Sequence, residues 1–294
     1  MKKILIGLCA VFSLLITTAA CDEEYTTYDG PSFISFSDTL YVLPVQNNEE
    51  YFDIPVVASQ KCDYDRTLAV EVVDKKTNAV EGKQFSIESN TITIPAGQYT
   101  TNVRIRGNAD NITVNDSLGL NLHILTNHAE NEQLQYLDAN VLLRKACPFD
   151  INDFTGYCVV KSPYFDDYMK GTPARLVKTE VDPENENTII FKDYFYEGYD
   201  VKFKFTTNDI LNPLIEMDRQ DFGPTSEAFG TVYGDGIIKM DQSPVYASYY
   251  SSCETFMIHY MTLSVPSVGT VGTYVCIIKW ISDDEAERIQ REGF

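Results

Sequence analysis

The chain has 294 residues, and its 43 acidic and 23 basic side chains give it a formal net charge of −20 at pH 7. Such a surface repels phosphate backbones and anionic lipid headgroups, and no Arg-rich or Lys-rich cluster offsets it, so nucleic-acid binding is disfavoured. Aromatic residues make up 12% of the sequence. Together with many Val, Ile and Thr residues, they predict packed β structure. The length allows two domains of ordinary size.

The first 20 residues have the pattern of a secretory leader. Lys2 and Lys3 precede an apolar run at residues 4–16, and the small residues 18–20 stand before Cys21. The pattern resembles the leader of bacterial lipoproteins, although a threonine stands three positions before the cysteine, where an aliphatic residue is usual. The resemblance implies cleavage before Cys21 and acylation of its thiol. The alternative is an uncleaved membrane helix, but the apolar run is shorter than the roughly 20 residues that spanning requires.

An acidic run follows the cysteine directly, at Asp22, Glu23 and Glu24. It resembles the signal that sends lipoproteins of Bacteroidetes to the outer leaflet of the outer membrane, with residues 21–30 as an acidic tether. The resemblance implies a protein anchored in the outer membrane through Cys21 and exposed at the cell surface. The alternative is a solvated tether without a sorting role.

Residues 31–145 alternate apolar and polar side chains with the period of two that is typical of half-buried strands. Val103 and Ile105, for example, alternate with polar neighbours. Clusters of Asn, Asp, Gly and Pro separate the runs, which favours a β-sandwich of short strands. The predicted strands lie at residues 39–45, 51–57, 67–73, 91–94, 102–106, 118–124 and 139–143.

Several of these runs resemble successive strands of a Calx-beta domain. They are residues 67–73, residues 79–82 leading to Phe85, the turn at residues 91–97, residues 103–105 and residues 116–122. The resemblance implies an immunoglobulin-like sandwich over residues 31–145, and Pro95 and Gly97 suit its turn. Calcium-binding members carry acidic residues in the first strand and beside the aromatic residue. Residues 41–45 and 82–85 lack them, so no calcium ligand or other metal site is predicted.

A second β domain is predicted at residues 146–282, followed by a short helix or tail at residues 283–294. Its opening, residues 147–149 and 154–157, resembles the C-terminal β domain of uncharacterised lipoproteins from gut Bacteroidetes, which implies a location and no activity. One half-buried strand is indicated by Val201, Phe203 and Phe205, which alternate with lysines. In contrast, residues 256–265 are apolar at both odd and even positions, which predicts an inner strand. An antiparallel sandwich or barrel fits both patterns, and the whole chain is predicted to be all-β.

Five cysteines remain after the leader and Cys21 are set aside, so at least one is unpaired. Cys158 and Cys276 fall in predicted strands, where a disulfide is one alternative in an exported protein. The other, which we favour, is that both are small buried hydrophobic residues. The sequence contains no Cys-x-x-Cys pair of the kind that binds zinc or exchanges disulfides.

Acidic and amide residues at positions 182–188 mimic part of a calcium-binding EF-hand loop. Asn187 replaces the glycine that the sharp turn of such a loop needs, and the bidentate glutamate at its end is missing. The segment lies between two predicted strands, and the interpretation we prefer is a hairpin turn.

Tyrosines concentrate in two segments whose rings could stack on the apolar faces of sugars. Acidic and amide neighbours, Asp193, Glu197, Asp200 and Gln242, could orient a ligand. The alternative is that these rings fill a β core while their hydroxyls reach the surface. The candidate ligand-binding residues are Tyr194, Tyr196 and Tyr199 in the first segment and Tyr246, Tyr249 and Tyr250 in the second.

The histidines, His123, His128 and His259, do not have zinc-binding spacing, and no Gly-x-Ser-x-Gly elbow is present. A chain with so many acidic residues contains pairs of carboxylates by abundance alone, so their presence is no evidence for glycoside hydrolysis. The sequence therefore predicts a non-catalytic, lipid-anchored binding protein without a cofactor, whose ligand is a glycan. The alternative is a structural or adhesive lipoprotein that engages other proteins of the outer membrane.

Overall fold

The computed structural model describes Gly30, residues 32–125 and residues 137–294. These residues form β-strands almost throughout, which confirms the all-β prediction. The sequence predictions that lie outside the described residues concern the leader, Cys21, Asp22, Glu23, Glu24 and His128.

Nine strands form two sheets packed as a sandwich. The sheet orders are β1-β3-β7-β5 and β2-β9-β8-β4-β6, with β2 and β9 parallel. Alternate side chains such as Val103 and Leu122 are fully buried in one shared apolar core, which confirms the predicted immunoglobulin-like sandwich. The strands are β1 (Ile34–Phe36), β2 (Leu40–Val45), β3 (Tyr51–Ala58), β4 (Arg66–Val72), β5 (Phe85–Ile87), β6 (Thr91–Ile94), β7 (Thr100–Gly107), β8 (Leu118–Leu125) and β9 (Asp138–Lys145).

The turn after β6 has the chemistry that its sequence predicts. The amide of Gln98 donates to the carbonyl of Pro95 at 3.0 Å, and Gly97 has a φ of +74°. Proline presets the first turn position, and glycine adopts a positive φ without the steric penalty that a Cβ brings. The turn therefore carries the chain from β6 towards β7 on the opposite sheet.

Ten further strands form a single antiparallel sheet, and three short helices decorate it. The helices are α1 (Tyr164–Tyr168), α2 (Thr225–Phe229) and α3 (Asp283–Glu292), the last capped by the hydroxyl of Ser282, which accepts from the amide of Glu285 at 3.3 Å. The strands are β10 (Gly156–Lys161), β11 (Arg175–Val181), β12 (Thr188–Phe191), β13 (Val201–Phe205), β14 (Leu214–Glu216), β15 (Gln220–Pro224), β16 (Ile237–Gln242), β17 (Ser248–Ser251), β18 (Phe256–Val265) and β19 (Gly269–Ile281).

The long strand β18 closes this sheet into a barrel. One edge of β18 pairs with β19 along its length, while the other edge pairs first with β17 and then with β16. Eight strands thereby complete the barrel, and β15 and β16 extend it as a hairpin beyond the closure. The sequence allowed either a sandwich or a barrel for the second domain, and the structure is a barrel.

Aromatic side chains fill the inside of the barrel. Phe203 and Phe205 are fully buried between exposed lysines, as their alternation predicts. Phe154 contacts the ring of Trp280 edge-on at 5.0 Å, and the indole nitrogen of Trp280 donates to the hydroxyl of Thr179 at 3.0 Å. Side chains occupy this interior, so sites open to a ligand lie on its ends and outer wall.

Among the described residues, one disulfide joins Cys147 to Cys253. It links the segment that follows β9 to the connection between β17 and β18. Cys158 and Cys276 are buried free thiols, so the alternative of a bond between them is wrong. Strand register explains this result, because Cys158 lies opposite Trp280 and is out of reach of Cys276.

Candidate functional site

The first tyrosine cluster lies largely inside the barrel. Tyr194 is fully buried, and its ring contacts Phe195 and Phe203 edge-on, so neither face is open to a ligand. Tyr196 is 5% exposed, and Tyr199 is half-buried. Tyr194 therefore fills the β core, as the alternative interpretation of the tyrosine clusters expected. Tyr196 instead reaches the wall of a surface pocket.

Two contacts fix the ring of Tyr196. Its hydroxyl shares a hydrogen bond of 2.8 Å with the hydroxyl of Tyr164, which is itself buried. Its ring lies on Gly223, where an added Cβ would come within 2.1 Å of the ring carbon Cδ2. Glycine at position 223 thus permits a close approach that any other residue would prevent.

Beside Tyr196 lies a pocket of about 590 Å³, which we call the Arg175 pocket. Arg175 stands at the start of β11, so the guanidinium lies at one end of the barrel. The pocket is lined by aromatic rings, two acidic residues and a lysine. The lining residues are Tyr168, Met169, Lys170, Thr172, Arg175, Phe195, Tyr196, Glu197 and Glu227.

The charge of Arg175 is only partly compensated within the protein, by the nearby carboxylate of Asp193. Its Nη2 donates to the carbonyl of Asp193 at 3.1 Å, and its Nε is buried without a partner among the described residues. Burial, the largest influence, lowers the pKa of its guanidinium, although an arginine side chain stays charged in proteins. The pocket therefore contains a half-buried positive charge with unused hydrogen-bond donors.

The second tyrosine cluster divides between core and surface. Tyr250 is 4% exposed, its hydroxyl donates to the carbonyl of Thr206 at 2.9 Å, and burial raises its pKa to about 12. Tyr246 and Tyr249 are 55% and 41% exposed. Tyr246 packs against Tyr260 with ring centroids 5.1 Å apart, so two rings of this cluster are open to solvent on one wall.

These rings belong to an apolar surface on the outside of the barrel, which we call the outer aromatic face. Strand register aligns one row of side chains across four neighbouring strands, because paired residues share a face of the sheet. None of them is fully buried, and Ile277 is 51% exposed. The face consists of the row Leu214, Tyr249, Ile258 and Ile277 and the adjoining residues Tyr246, Phe256, Tyr260 and Val275.

The polar residues predicted to orient a ligand mostly bind the protein's own backbone. Asp200 accepts from the amide of Asp193 at 3.0 Å and pairs with Lys192. Asp193 in turn accepts from the amide of Gly198 at 2.6 Å. Gln242 donates to a backbone carbonyl of β14 at 3.3 Å, whereas Glu197 lines the Arg175 pocket.

The acidic segment after β11 is the predicted hairpin turn. Asp182, almost fully buried, accepts from the amide of Glu184 at 2.9 Å and from Asn185 at 2.8 Å, and it pairs with Lys202 at 2.7 Å. The hydrogen bond from Lys202 is the largest influence, and these contacts together lower the pKa of Asp182 to about 2. Asn187 takes the positive φ of 52° that completes the turn.

A serine and a histidine meet inside the barrel without forming a catalytic arrangement. The hydroxyl of Ser248 lies 3.1 Å from Nδ1 of His259, and both residues are buried. No described residue forms a hydrogen bond with Nε2 of His259, so the carboxylate of a catalytic triad is missing there. In the described part of the chain, no three His, Cys, Asp or Glu side chains cluster as metal ligands do.

A family model with the description "Domain of unknown function (DUF4984)" matches residues 134–292, which is more than half of the chain. The chain belongs to this family. The DUF4984 match contains the whole barrel, α3, the Arg175 pocket and the outer aromatic face, while strands β1–β8 precede it. No curated protein matches the sequence.

Solved structures resemble this DUF4984 protein at low identity. A protein of unknown function from Bacteroides ovatus is 14% identical, with a TM-score of 0.36 over 87% of this chain and 93% of its own. An auxiliary nutrient binding protein from Bacteroides thetaiotaomicron is 16% identical, with a TM-score of 0.33 over 85% and 93%. The apo form of the Calx CBD1 domain is 17% identical, with a TM-score of 0.32 over 39% and 96%.

Sequence reasoning found parts of both surfaces in the DUF4984 region and missed their centres. Tyr246, Tyr249, Tyr196 and Glu197 were predicted, but Arg175 was not, because its pocket combines residues from separate elements. One usable signal was that residues 256–265 have apolar side chains at both odd and even positions. This pattern places apolar side chains on the outside of β18 as well as inside. Among the described residues no helix is long and apolar enough to cross a membrane.

Proposed function

We propose that this chain is a non-catalytic, lipid-anchored protein of the cell envelope that binds glycans on its outer aromatic face. The observation that carries the proposal is the exposure of Tyr246 and Tyr249, 55% and 41%, on the wall of a barrel whose interior is filled. Tyrosine rings join a flat apolar face to a polar hydroxyl, which suits a sugar with C–H groups on one face and hydroxyls at its edge.

The shape of the outer aromatic face favours an extended ligand. Its row of side chains runs across β14, β17, β18 and β19, perpendicular to strands that are themselves held by continuous pairing. Tyr249 contacts Phe256 edge-on at 6.4 Å, so its ring has a neighbouring ring beside it on the same face. A chain of several sugars could therefore contact more than one ring at once, with little ordering of the protein on binding.

Removing the two exposed rings should weaken glycan binding. We expect the double substitution Tyr246→Ala and Tyr249→Ala to raise the Kd for a bound polysaccharide at least tenfold, because each lost stacking contact is worth about 1 kcal/mol or more. A ligand is first selected on an array of dietary, host and microbial glycans and then measured by titration calorimetry. Tyr64→Ala, which removes a tyrosine 62% exposed on the sandwich, is the matched control and should leave the Kd unchanged.

An unaltered Kd in the double variant would remove the outer aromatic face as the glycan site. Absence of binding on the whole array by the wild-type protein would contradict the function itself. Circular dichroism of both variants checks that the fold is retained, which the surface position of the two tyrosines leads us to expect.

The aliphatic half of the same face supports a second candidate, adhesion to another protein. Leu214, Ile258 and Ile277 line up without an intervening charge, and contiguous apolar patches of this kind mark protein contacts. A stoichiometric partner recovered from outer-membrane extract, and lost on Ile277→Lys, would favour adhesion if no glycan binds.

The location is tested at the predicted anchor. We expect Cys21→Ser to move the protein from the membrane fraction to the soluble fraction and to abolish incorporation of labelled fatty acid. Acyl chains contribute about 0.8 kcal/mol per buried CH₂, and no other lipid anchor is proposed for this chain. Protease treatment of intact cells tests surface exposure, and protection of the wild-type chain until lysis would contradict it.

A further inference from the structure

Arg175 has no salt-bridge partner among the described residues. Eleven ion pairs join described residues, and none includes Arg175. This is notable in a chain with 43 acidic and 23 basic side chains, where a carboxylate partner is readily available. The carboxylate of Asp193 acts on Arg175 only through space, without a salt bridge, and burial outweighs it. A partly buried guanidinium without a salt bridge is unfavourable, and an anion brought by a ligand would relieve that cost.

The hydrogen-bonding geometry of Arg175 selects among anions. A guanidinium has five N–H donors in a planar fork, of which the described residues accept one, at the carbonyl of Asp193. A carboxylate matches two parallel donors of such a fork. Nε is buried, so the donors left for a ligand are those of Nη1 and the second hydrogen of Nη2, at the end of the fork. These two nitrogens suit a planar carboxylate within a pocket of about 590 Å³, a size typical of small-ligand sites.

The walls of the Arg175 pocket are aromatic and held in place before any ligand arrives. Tyr196 is fixed by Tyr164 and Gly223, and Tyr168 packs edge-on against Phe229 at 5.3 Å. Tyr196 is buried and supports the wall, whereas the partly exposed ring of Tyr168 provides a stacking surface for a ring-shaped ligand that carries the carboxylate.

Two exposed carboxylates at the rim narrow the ligand class further. Glu197 and Glu227 line the same pocket as Arg175. They repel a doubly charged phosphate more strongly than a singly charged carboxylate, and their oxygens can accept hydrogen bonds from hydroxyl groups. A ligand with one carboxylate, several hydroxyls and an apolar ring face satisfies all of these groups.

We propose that the Arg175 pocket binds the carboxylate of an acidic sugar, a uronic acid unit of a glycan. The proposal rests on the proposed glycan-binding function for its ligand class, and it places the acidic unit at the barrel end, apart from the outer aromatic face. Arg175 pairs with the carboxylate, the rings of Tyr168 and Tyr196 border the sugar, and Glu197 and Glu227 accept from its hydroxyls.

The test compares two probes that differ only in the acidic group, methyl β-D-glucuronide and methyl β-D-glucoside. The protein begins at residue 21, carries Cys21→Ser and is titrated by NMR at fixed ionic strength. We expect the glucuronide to bind at least tenfold more tightly than the glucoside. Equal affinities, or no shift of any resonance with the glucuronide, would overturn the proposal, and so would displacement of the glucuronide by equimolar inorganic phosphate.

Variants then assign the site. Arg175→Gln should raise the Kd for the glucuronide at least tenfold and remove its advantage over the glucoside, whereas Arg175→Lys, which keeps the charge without the fork, should lie between. Arg219→Gln is the matched control, because Arg219 pairs with Asp241 at 3.6 Å elsewhere on the barrel. Wild-type affinity in Arg175→Gln would overturn the assignment.

A measurement on the wild-type protein covers the case in which Arg175→Gln does not fold. Phenylglyoxal modifies accessible guanidinium groups, and bound glucuronide should slow modification of the peptide that contains Arg175 but not of the peptide that contains Arg219. Equal rates with and without glucuronide would overturn the proposal. If glucuronide does not bind at Arg175 but a neutral polysaccharide still binds in a way that depends on Tyr246 and Tyr249, the proposed glycan-binding function stands and only the Arg175 site is wrong. Failure of this proposal can therefore be distinguished from failure of the proposed function.

Discussion

Replacing Cys147 and Cys253 together by alanine is expected to lower the free energy of unfolding of the barrel by about 3–5 kcal/mol. The disulfide joins residues 106 positions apart, so it restricts a long loop of the unfolded chain and raises its free energy. Loops of about 100 residues give the upper part of the range that such cross-links produce. The pair also holds the start of the barrel chain to the connection before β18, the strand that closes the barrel.

Urea unfolding followed by Trp280 fluorescence measures this change, because the single tryptophan lies in the barrel core. The midpoint should fall by about 1–2 M. Cys62→Ala removes a half-buried free thiol and serves as the control, with an unchanged midpoint. Alkylation of the unfolded, unreduced protein that begins at residue 21 and carries Cys21→Ser should label three cysteines, Cys62, Cys158 and Cys276. Labelling of all five cysteines of that protein would contradict the disulfide.

Acidification from pH 7 to pH 4.5 is expected to cost the barrel about 3 kcal/mol of stability through His259 alone. This imidazole is fully buried beside Phe203, at 4.6 Å between ring centroids, and burial lowers its pKa to about 3. In the unfolded chain a histidine has a pKa of about 6.5. Between these values the unfolded state binds a proton that the folded state does not, so stability is complete above pH 6.5 and declines as the pH falls towards 3.

The test is the difference in unfolding free energy between pH 7 and pH 4.5, measured in urea for the wild type and for His259→Gln. The glutamine variant should lose about 3 kcal/mol less on acidification than the wild type. The carboxylate of Asp182, with a pKa lowered to about 2, loses its contribution only below about pH 4 and stays outside this window. Ser248→Ala keeps the imidazole and its burial and should retain the wild-type pH dependence; a flat response there would point to the hydroxyl contact instead.

Local patterning was sufficient to predict much of the architecture. The alternation of Val201, Phe203 and Phe205 with lysines placed one strand with its faces correctly oriented, since a period of two fixes which side chains enter the core. The hairpin around Asn187 followed in the same way from residues that favour turns. These inferences need only neighbours in sequence.

Features that depend on distant partners could not be predicted in this way. Cys147 and Cys253 meet because β18 closes the barrel, a pairing that no spacing in the sequence encodes. Arg175 and Glu227 likewise share a pocket although they lie on elements far apart in the sequence. Aromatic residues were ambiguous as well, because Tyr194 in the core and Tyr246 on the surface both lie in tyrosine-rich connections between strands, and only the tertiary packing of those connections separates them.

Strand β15 affects the tendency of this protein to aggregate at high concentration. It forms an open edge of the barrel sheet, and an open edge offers free backbone groups to which a strand of a neighbouring molecule can add. Here the register shifts between Asp221 and Gly223, and Pro224 has no amide hydrogen to donate. The row of groups available for pairing is thereby short and interrupted, so the edge is a poor template for aggregation.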